Sequence, residues 1–211
     1  MEQIINQAEA IIFDFDGTLV DTNQIWLDTD NVIKAEFGLN FDMDHYLPLI
    51  QGNIFMHICE EIVSYYKPKT DAITLKNRYF EVYKSFAAKS KLVPGAKEYM
   101  QKLQVRGSKY AIASANPTEL NSHIFKTHEI SHLAPEIFVS CDDVGKGKPS
   151  PDVFLEAAKQ LNVDITKCVV FEDSIVGVQA AKASGAVVVC IGQKGRDLAD
   201  FCIDDYLQLI Q

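Results

Sequence analysis

The stretch AIIFDFDGTLVD, residues 10–21, decides the fold that we expect for this chain. Its first four residues are apolar and predict a strand that is buried on both faces. The strand ends at two carboxylates, Asp14 and Asp16, and Gly17 then permits a turn that a side chain would hinder. Two like charges at this spacing repel each other, so we expect a divalent cation to compensate them. The alternative is an ordinary strand end with acidic turn residues.

Outside this stretch the chain divides into a helical segment and an alternating one. Residues from about 22 to 91 show apolar residues at helical spacing, whereas strand and helix patterns alternate from Val93 onward. Such alternation is typical of a parallel sheet with helices on both of its faces. We therefore expect an α/β core of residues 1–21 and 92–211 and an all-helical insertion of residues 22–91.

Short apolar runs bounded by turn residues predict the individual elements. Residues 1–9 predict only a lead-in to the first strand. Helical spacing before Gly38, before the Lys67-Pro68 pair and around Tyr79 predicts three helices in the insertion. After the first strand, the predicted core strands are Tyr110 to Ala113, Ile137 to Ser140, Cys168 to Phe171 and Val187 to Ile191.

Composition narrows the class of protein. The chain has 211 residues and a net charge of −9, which argues against a nucleic-acid binder because such proteins need a basic surface. Its apolar runs are too short to cross a bilayer, and its first residues lack the pattern of a signal peptide, so we expect no membrane association. Five separated cysteines favour reduced thiols in the cytoplasm. A monomer or a weak dimer is expected, and the sequence does not decide between them.

Polar residues follow four of the predicted strands. Ligands of open parallel sheets bind outside the carboxyl ends of the strands. The residues found there are, in order, Asp14 and Asp16, then Ser114 and Asn116, then Lys148, then Glu172 and Asp173. This set suits the transfer of a phosphoryl group from a small phosphorylated metabolite.

Each of these groups has a chemical role in that reaction. The Asp14 carboxylate can attack phosphorus, which gives an aspartyl-phosphate, and Asp16 can act as general acid and then as general base. Oxygen ligands from Asp14, Glu172 and Asp173 predict a Mg²⁺ site. The ammonium of Lys148 neutralises both the phosphate and Asp14, which lets an anion approach these acids.

Hydroxyl and backbone N–H groups near the strand ends predict the phosphate-binding positions. These positions are Gly17, Thr18, Ser114, Ala115, Asn116 and Lys148. Weaker interpretations exist for each motif alone. Residues 114–116 also suit an ordinary loop entering a helix, the acids at 172–173 suit a helix N-terminus, and GKGK at 145–148 lacks the spacing of a P-loop. The four motifs together, each after a predicted strand, are not explained in this way.

The four motifs resemble those of the haloacid dehalogenase-like hydrolase superfamily. They are DFDGTLVD, the serine of IASAN, the lysine of GKGKPSPD and the acids of FEDS. The resemblance implies a Rossmann-like core with a helical cap that closes over the site. It also implies that Asp14 is the nucleophile, and that the backbone carbonyl of Asp16 joins the metal ligands. KPSPDVF and EDSIVGVQAAKASGA resemble the branch that holds phosphoglycolate phosphatases, sugar-phosphate phosphatases and β-phosphoglucomutases.

Residues of the cap bear on the choice within that branch. The resemblance places Trp26, Gln51 and Phe55 where mutases carry a histidine and basic residues, so we expect a phosphatase, with a phosphosugar mutase as the alternative. We expect Trp26, Gln51, Asn53 and Phe55 to set the specificity for the phosphate ester. A regulator that binds phosphate without turnover is a further alternative, although every catalytic position is filled.

Overall fold

The computed structural model describes residues 1–210 and contains a six-stranded parallel sheet. The order of the strands in this sheet is β5-β4-β1-β6-β7-β8, and a separate antiparallel pair is formed by β2 and β3. The strands are β1 (Ala10–Phe13), β2 (Val20–Asp21), β3 (Lys91–Leu92), β4 (Lys109–Ser114), β5 (Phe138–Ser140), β6 (Cys168–Glu172), β7 (Val187–Ile191) and β8 (Phe201–Ile203).

Helices cover both faces of the sheet and fill the segment between β2 and β3. They are α1 (Glu2–Gln7), α2 (Asn23–Phe37), α3 (Met43–Ile50), α4 (Phe55–Tyr66), α5 (Ala72–Phe86), α6 (Ala96–Val105), α7 (Thr118–Thr127), α8 (Cys141–Val144), α9 (Asp152–Gln160) and α10 (Ile175–Ser184). We call α2–α5 the cap. None of the helices within residues 1–210 combines the length and the apolar character that a membrane span requires.

Strand β1 is the centre of the core because apolar residues cover both of its faces. Ile11 and Phe13 belong to the apolar cluster on one face, and Ala10 and Ile12 belong to the cluster on the other. All four side chains are buried, as the run AIIF predicts. Their alternation follows from the two-residue repeat of a strand.

The position of β1 in the sheet creates the site. Strand β1 pairs with β4 on one side and with β6 on the other, so the strand order reverses at this point. The crevice at such a reversal, at the carboxyl ends of the strands, is where open α/β sheets bind ligands. Asp14 is the first residue after β1 and therefore lies at the opening of this crevice.

The two chain crossings between core and cap lie side by side. Val20 pairs with Leu92 and Asp21 pairs with Lys91 in the β2–β3 ladder. The sequence did not predict this ladder, since two residues are too few to show a strand pattern. The pairing lies where we placed the boundaries of the insertion, and the division into two domains remains a prediction.

The α/β fold and the five core strands are confirmed, with ends that differ by one residue or less. Besides the β2–β3 ladder, four of the elements named above were not predicted, and one of them is the short helix α8, which forms where we expected a loop. Residues 2–7 form α1, where we expected only a lead-in, and β8 adds a sixth strand at the sheet edge. Helix α3 makes four cap helices instead of three; it contains Pro48, and its N-terminus is capped by the Asp42 side chain, which accepts a hydrogen bond from the Asp44 N–H.

Candidate active site

Lys148 connects the first and the last of the predicted motifs. Its Nζ donates hydrogen bonds to Asp14 Oδ1 at 2.6 Å and to Glu172 Oε1 at 2.7 Å. All three side chains are buried. Burial alone would lower the pKa of the Lys148 ammonium, but the two carboxylates raise it above its ordinary value, so the lysine is charged. A buried cation therefore stands beside the predicted nucleophile.

Glu172 is held on its other side by the N-terminus of α10. Its Oε2 accepts hydrogen bonds from the Ser174 N–H at 2.8 Å and from the Ser174 hydroxyl at 3.0 Å. The carboxylate packs so close to Gly177 that a Cβ there would lie 1.7 Å from Glu172 Oε1. The glycine in EDSIVG therefore has a structural reason, because no side chain fits between the helix and this acid.

Asp173 lies against the turn that follows β1. A Cβ on Gly17 would stand 2.2 Å from Asp173 Oδ2, and Gly17 has a φ of +78°, so glycine is required on both grounds. Burial, reinforced by the charge of Glu172, raises the pKa of Asp173 to about 7. Burial also raises the pKa of Asp14 well above its ordinary value, and Lys148 offsets only part of that effect. The site thus holds more carboxylates than its lysine compensates.

This excess of acids fits a hard divalent cation. Asp14, Glu172 and Asp173 each offer an oxygen, and these oxygens all lie within 4.8 Å of one another. Carboxylate oxygens are the ligands that Mg²⁺ prefers. A cation here would offset the repulsion among the acids, which adds to the effect of burial in raising the pKa values of Asp14 and Asp173. The side chain of Asp16 is not a member of this cluster, so its predicted part in the metal site depends on its backbone carbonyl alone.

The Asp16 carboxylate points toward hydrogen-bond donors from two other elements. Thr22 Oγ1, at the start of the cap, donates to Oδ1, and Asn116 Nδ2 donates to Oδ2. The indole Nε1 of Trp26 donates to Oδ1 at 3.3 Å. Burial raises the pKa of Asp16, and these donors lower it in part, so the pKa stays above its ordinary value. Asp16 is thus held by these three donors, whereas Asp14 is held by Lys148.

The predicted phosphate-binding residues fall into two groups, of which only one lines the crevice. Ala115, Asn116 and Lys148 line the cavity over the strand ends, whereas Gly17, Thr18 and Ser114 are not among its lining residues. Ser114 is buried, and its Oγ accepts a hydrogen bond from the Asn116 N–H at 3.0 Å. Ser114 therefore shapes the loop that carries Asn116. Thr18 is fully buried, and its hydroxyl has no hydrogen-bond partner within residues 1–210.

Residues of the cap form part of the wall of this cavity, which has a volume of about 390 Å³. All four predicted specificity residues, Trp26, Gln51, Asn53 and Phe55, are among its lining residues. Trp26 packs against Phe55 with ring centroids 5.8 Å apart. The structure thus brings the cap residues and the motif residues to one cavity, and their roles there remain predictions.

Two hydrogen bonds join the cap to the core at the rim of the cavity. The Lys148 N–H donates to the Gly52 carbonyl oxygen at 2.8 Å, and the Phe55 N–H donates to Asp142 Oδ1 at 3.0 Å. Gly147 packs beneath this loop, since a Cβ on it would lie 2.6 Å from the Gly52 oxygen. The loop of residues 51–53, which we call the cap loop, therefore rests directly on the segment that carries the lysine.

Sequence reasoning missed several polar lining residues. They are Asn23, Asp30, Tyr46, Tyr79, Ser174 and Lys194. Asn23 and Asp30 had a signal, because they stand three residues before and four after Trp26 and thus on the same helix face. Tyr46 and Tyr79 had none, since only the packing of the cap helices brings them here.

Comparison with known proteins agrees with this geometry. A family model described as haloacid dehalogenase-like hydrolase matches residues 11–191. The chain is 31% identical over 183 residues to the fructose-1-phosphate phosphatase YqaB of Escherichia coli, covering 83% of this chain and 92% of that protein. It is 30% identical over 184 residues to a bifunctional riboflavin kinase/FMN phosphatase of Arabidopsis thaliana, covering 87% of this chain.

The chain spans only 48% of the length of that Arabidopsis relative. Among solved structures, CbbY from Rhodobacter sphaeroides superposes with a TM-score of 0.83 at 22% identity, covering 96% of each chain. That likeness shows the fold. The family match covers most of the sequence and includes all four motifs. The chain belongs to the haloacid dehalogenase-like hydrolase family.

Proposed function

We propose that this chain is a magnesium-dependent phosphatase that hydrolyses a small phosphorylated metabolite, such as a sugar phosphate, through an aspartyl-phosphate on Asp14. The observation that carries this proposal is the pairing of Asp14 with Lys148. Oδ1 of Asp14 accepts a hydrogen bond from Lys148, and no donor within residues 1–210 occupies Oδ2. The buried ammonium orients the carboxylate and leaves one oxygen for attack on phosphorus.

The reaction then has two displacements at phosphorus. In the first, Asp14 forms a bond to phosphorus, the bond to the ester oxygen breaks, and Asp16 gives its proton to the departing alcohol. In the second, Asp16 takes a proton from water, the water oxygen bonds to phosphorus, and the bond to Asp14 breaks. Inorganic phosphate leaves and Asp14 is restored.

The remaining residues would bind the phosphate group and the metal ion. Lys148 stays protonated beside Asp14 and attracts the phosphate. Asp14, Glu172 and Asp173 would hold magnesium, with the Asp16 backbone carbonyl as the further ligand that the family resemblance implies. When bound, the ion supplies positive charge that stabilises the phosphoryl oxygens. Asn116 and the backbone near Ala115 would bind the phosphate, and the hydrogen bond from Trp26 would keep Asp16 oriented.

The cap wall supports a phosphatase over the mutase alternative. A mutase retains and turns a bisphosphate, which requires positive charge on the cap. The lining residues that come from the described cap and its loops include no lysine, arginine or histidine, and both lining lysines, Lys148 and Lys194, belong to the core. A second phosphate would therefore meet an uncharged or acidic wall.

The experiment that tests this proposal is the variant Asp14→Asn. An amide cannot attack phosphorus, so we expect turnover to disappear for every ester in a panel of phosphorylated metabolites assayed with magnesium. Wild-type protein quenched with acid during turnover should yield a peptide phosphorylated at Asp14. Chelation should remove activity, and added magnesium should restore it.

The matched control is Asp44→Asn, an exposed aspartate of the cap, which should keep wild-type activity. Mass spectrometry of Asp14→Asn must show that the asparagine has not deamidated. Near-normal turnover of that intact variant would rule out the covalent mechanism. Full activity after exhaustive chelation would remove magnesium from the proposal.

A further inference from the structure

The cap wall of the cavity carries one acidic side chain that the reaction does not use. Asp30 lines the cavity on the same face of α2 as Asn23 and Trp26. Trp26 contacts Asp16, and Asp30 follows four residues later, which is about 6 Å along the helix axis. Asp30 therefore stands where the alcohol part of an ester would lie, beyond the proton donor.

Two tyrosines of the cap fix the orientation of Asp30. The Tyr46 hydroxyl donates to Asp30 Oδ1 at 2.8 Å, and the Tyr79 hydroxyl donates to the same oxygen at 3.2 Å. Tyr79 in turn packs edge-on against Phe55, with centroids 5.6 Å apart. Oδ2 of Asp30 receives no hydrogen bond from residues 1–210, which leaves it free to accept one from a ligand.

The charge of Asp30 is not neutralised by an ion pair. Burial raises its pKa, whereas hydrogen bonds from Tyr46 and Tyr79 and the more distant charge of Lys34 lower it in part. Lys34 forms no ion pair with Asp30 in the described part of the chain, and its ammonium lies 5.8 Å from the ring centroid of Phe41. A partly buried carboxylate in a cavity with aromatic walls acts on a ligand more strongly than one in water.

We propose that Asp30 selects leaving groups by charge: its carboxylate accepts hydrogen bonds from hydroxyl or ammonium donors of the phosphate ester and repels esters that carry a second anionic group. This inference rests on the proposed function and names the substrate class within it. Unphosphorylated hydroxyl or amino groups at the far end of the substrate are favoured. Carboxylates and second phosphates at that end are rejected by like-charge repulsion.

The experiment compares esters that differ in the charge of the alcohol part. Glucose 6-phosphate, glucosamine 6-phosphate and 6-phosphogluconate provide a neutral, a cationic and an anionic member of similar size. We expect wild-type kcat/KM for 6-phosphogluconate to be at least about tenfold below that for glucose 6-phosphate. The ratio of the glucosamine ester to the glucose ester tells whether ammonium or hydroxyl is preferred, and either result supports the proposal.

The variant Asp30→Asn should raise the relative kcat/KM for 6-phosphogluconate by roughly tenfold, since the amide keeps the shape and removes the charge. Asp30→Ser is measured in parallel, so that a folding defect in one variant does not decide the result. The matched control is Asp28→Asn, which removes the same charge from the same helix. Asp28 forms an ion pair with Lys89 and does not line the cavity. Asp28→Asn should therefore keep the wild-type ratio of kcat/KM for 6-phosphogluconate to kcat/KM for glucose 6-phosphate.

Three results would overturn the inference. In the first, the wild type has equal kcat/KM for glucose 6-phosphate and 6-phosphogluconate. In the second, both Asp30 variants keep the wild-type ratio of these two values. In the third, Asp28→Asn changes that ratio as much as the Asp30 variants do. Acetyl phosphate distinguishes these results from failure of the proposed function. If the wild type hydrolyses no ester, acetyl phosphate included, the phosphatase proposal fails, and calorimetric binding of the three sugar esters then tests the inference alone. Equal affinity for all three would overturn it.

Discussion

At the scale of single residues, the pKa of Asp16 is shifted in opposite directions by burial and by hydrogen bonds. Burial favours its protonated form, whereas hydrogen bonds from Thr22, Trp26 and Asn116 favour its carboxylate. A group that gives a proton in one step and takes one in the next needs both forms to be accessible. The donors come from the cap and from the loop after β4, so the balance depends on both parts of the fold.

The variant Asp16→Asn tests this role. An amide cannot protonate a leaving oxygen, so hydrolysis of an alkyl ester such as a sugar phosphate should slow by about 10²–10⁴-fold. An activated aryl phosphate needs little protonation and should lose much less. Steady-state kcat/KM on one ester of each type measures the difference. Equal losses on both esters would contradict the assignment of Asp16 as the general acid.

Residues that follow strands were predictable, and residues within helices were less so. Asp14, Lys148 and Glu172 were found because the ends of parallel strands meet at one edge of a sheet. Asp30 was missed, because helical spacing shows which residues share a face and not what that face meets. Trp26 was predicted for specificity alone, and its bond to Asp16 depends on distances that no spacing reveals.

At the scale of elements, two backbone N–H groups connect the core with the cap loop and with the start of α4. They form the Lys148–Gly52 and Phe55–Asp142 hydrogen bonds. Burial raises the pKa of Asp142, and the Phe55 N–H lowers it in part, which indicates that this acid is partly enclosed by the contact. Asp142 touches no residue of the acidic cluster through a hydrogen bond within residues 1–210, so it can be removed without changing the proposed chemistry.

The variant Asp142→Ala should weaken the contact between α4 and the core and so favour movement of the cap away from the cavity. Loss of one hydrogen bond to a charged acceptor should raise KM about fivefold with a smaller effect on kcat. The Phe55 amide should also exchange its hydrogen faster. Asp44→Ala is the control, since the Asp44 side chain accepts no hydrogen bond within residues 1–210. Unchanged exchange at Phe55 in Asp142→Ala would show that this bond does not hold the cap.

The elements that sequence patterns missed are those with a misleading or short pattern. Pro48 stands inside α3, where proline normally argues against a helix. Strand β8 has three residues, and acids flank it on both sides. Both elements are stabilised by contacts with their neighbours. The ring of Tyr46 in α3 stacks on that of Phe41, with ring centroids 4.0 Å apart, and β8 pairs with β7.

At the scale of the whole molecule, one surface acid ties the edge of the sheet together. Asp200 precedes β8, and its carboxylate accepts hydrogen bonds from the Val188 N–H of β7 at 2.8 Å and from Lys182 Nζ of α10 at 2.6 Å. Burial alone would raise the pKa of Asp200, but these two groups lower it below its ordinary value. The folded state therefore favours the ionised acid.

This lowered pKa gives a pH-dependent stability. The contribution of Asp200 is complete above its unfolded pKa of about 3.9 and is lost as pH falls through the lower folded value. Because the group is mostly exposed, we expect about 1 kcal/mol at most, or a shift of about 2–4 °C in Tm. Asp200→Asn should melt below the wild type at pH 7, and the gap should narrow progressively as the pH falls below the unfolded pKa of about 3.9.

Thermal melts of both proteins between pH 3 and 7 measure this gap. Asp197→Asn, on an exposed aspartate three residues earlier, should show no such dependence. A gap that stays constant with pH would mean that the Asp200 bonds do not depend on its charge.

The fold as a whole was the most predictable feature, because the strand–helix alternation after Val93 leaves few topologies. The cavity was the least predictable. Its walls come from β1, from the cap helices and from loops on both sides of the sheet, so its shape depends on how two separately patterned segments pack.

The β2–β3 ladder would act as a pivot in any movement of the cap relative to the core. Since both chain crossings are paired there, rotation about that point is the simplest motion of the cap that keeps the ladder intact. Thr22 and Trp26 begin within five residues of the pivot and would move little, so Asp16 would keep these partners during the swing. The cap loop is farther along the chain from the pivot and would move more, so Gly52 would lose its hydrogen bond from the Lys148 N–H. Opening would thus admit substrate by releasing the lysine segment while leaving the surroundings of the proton donor intact.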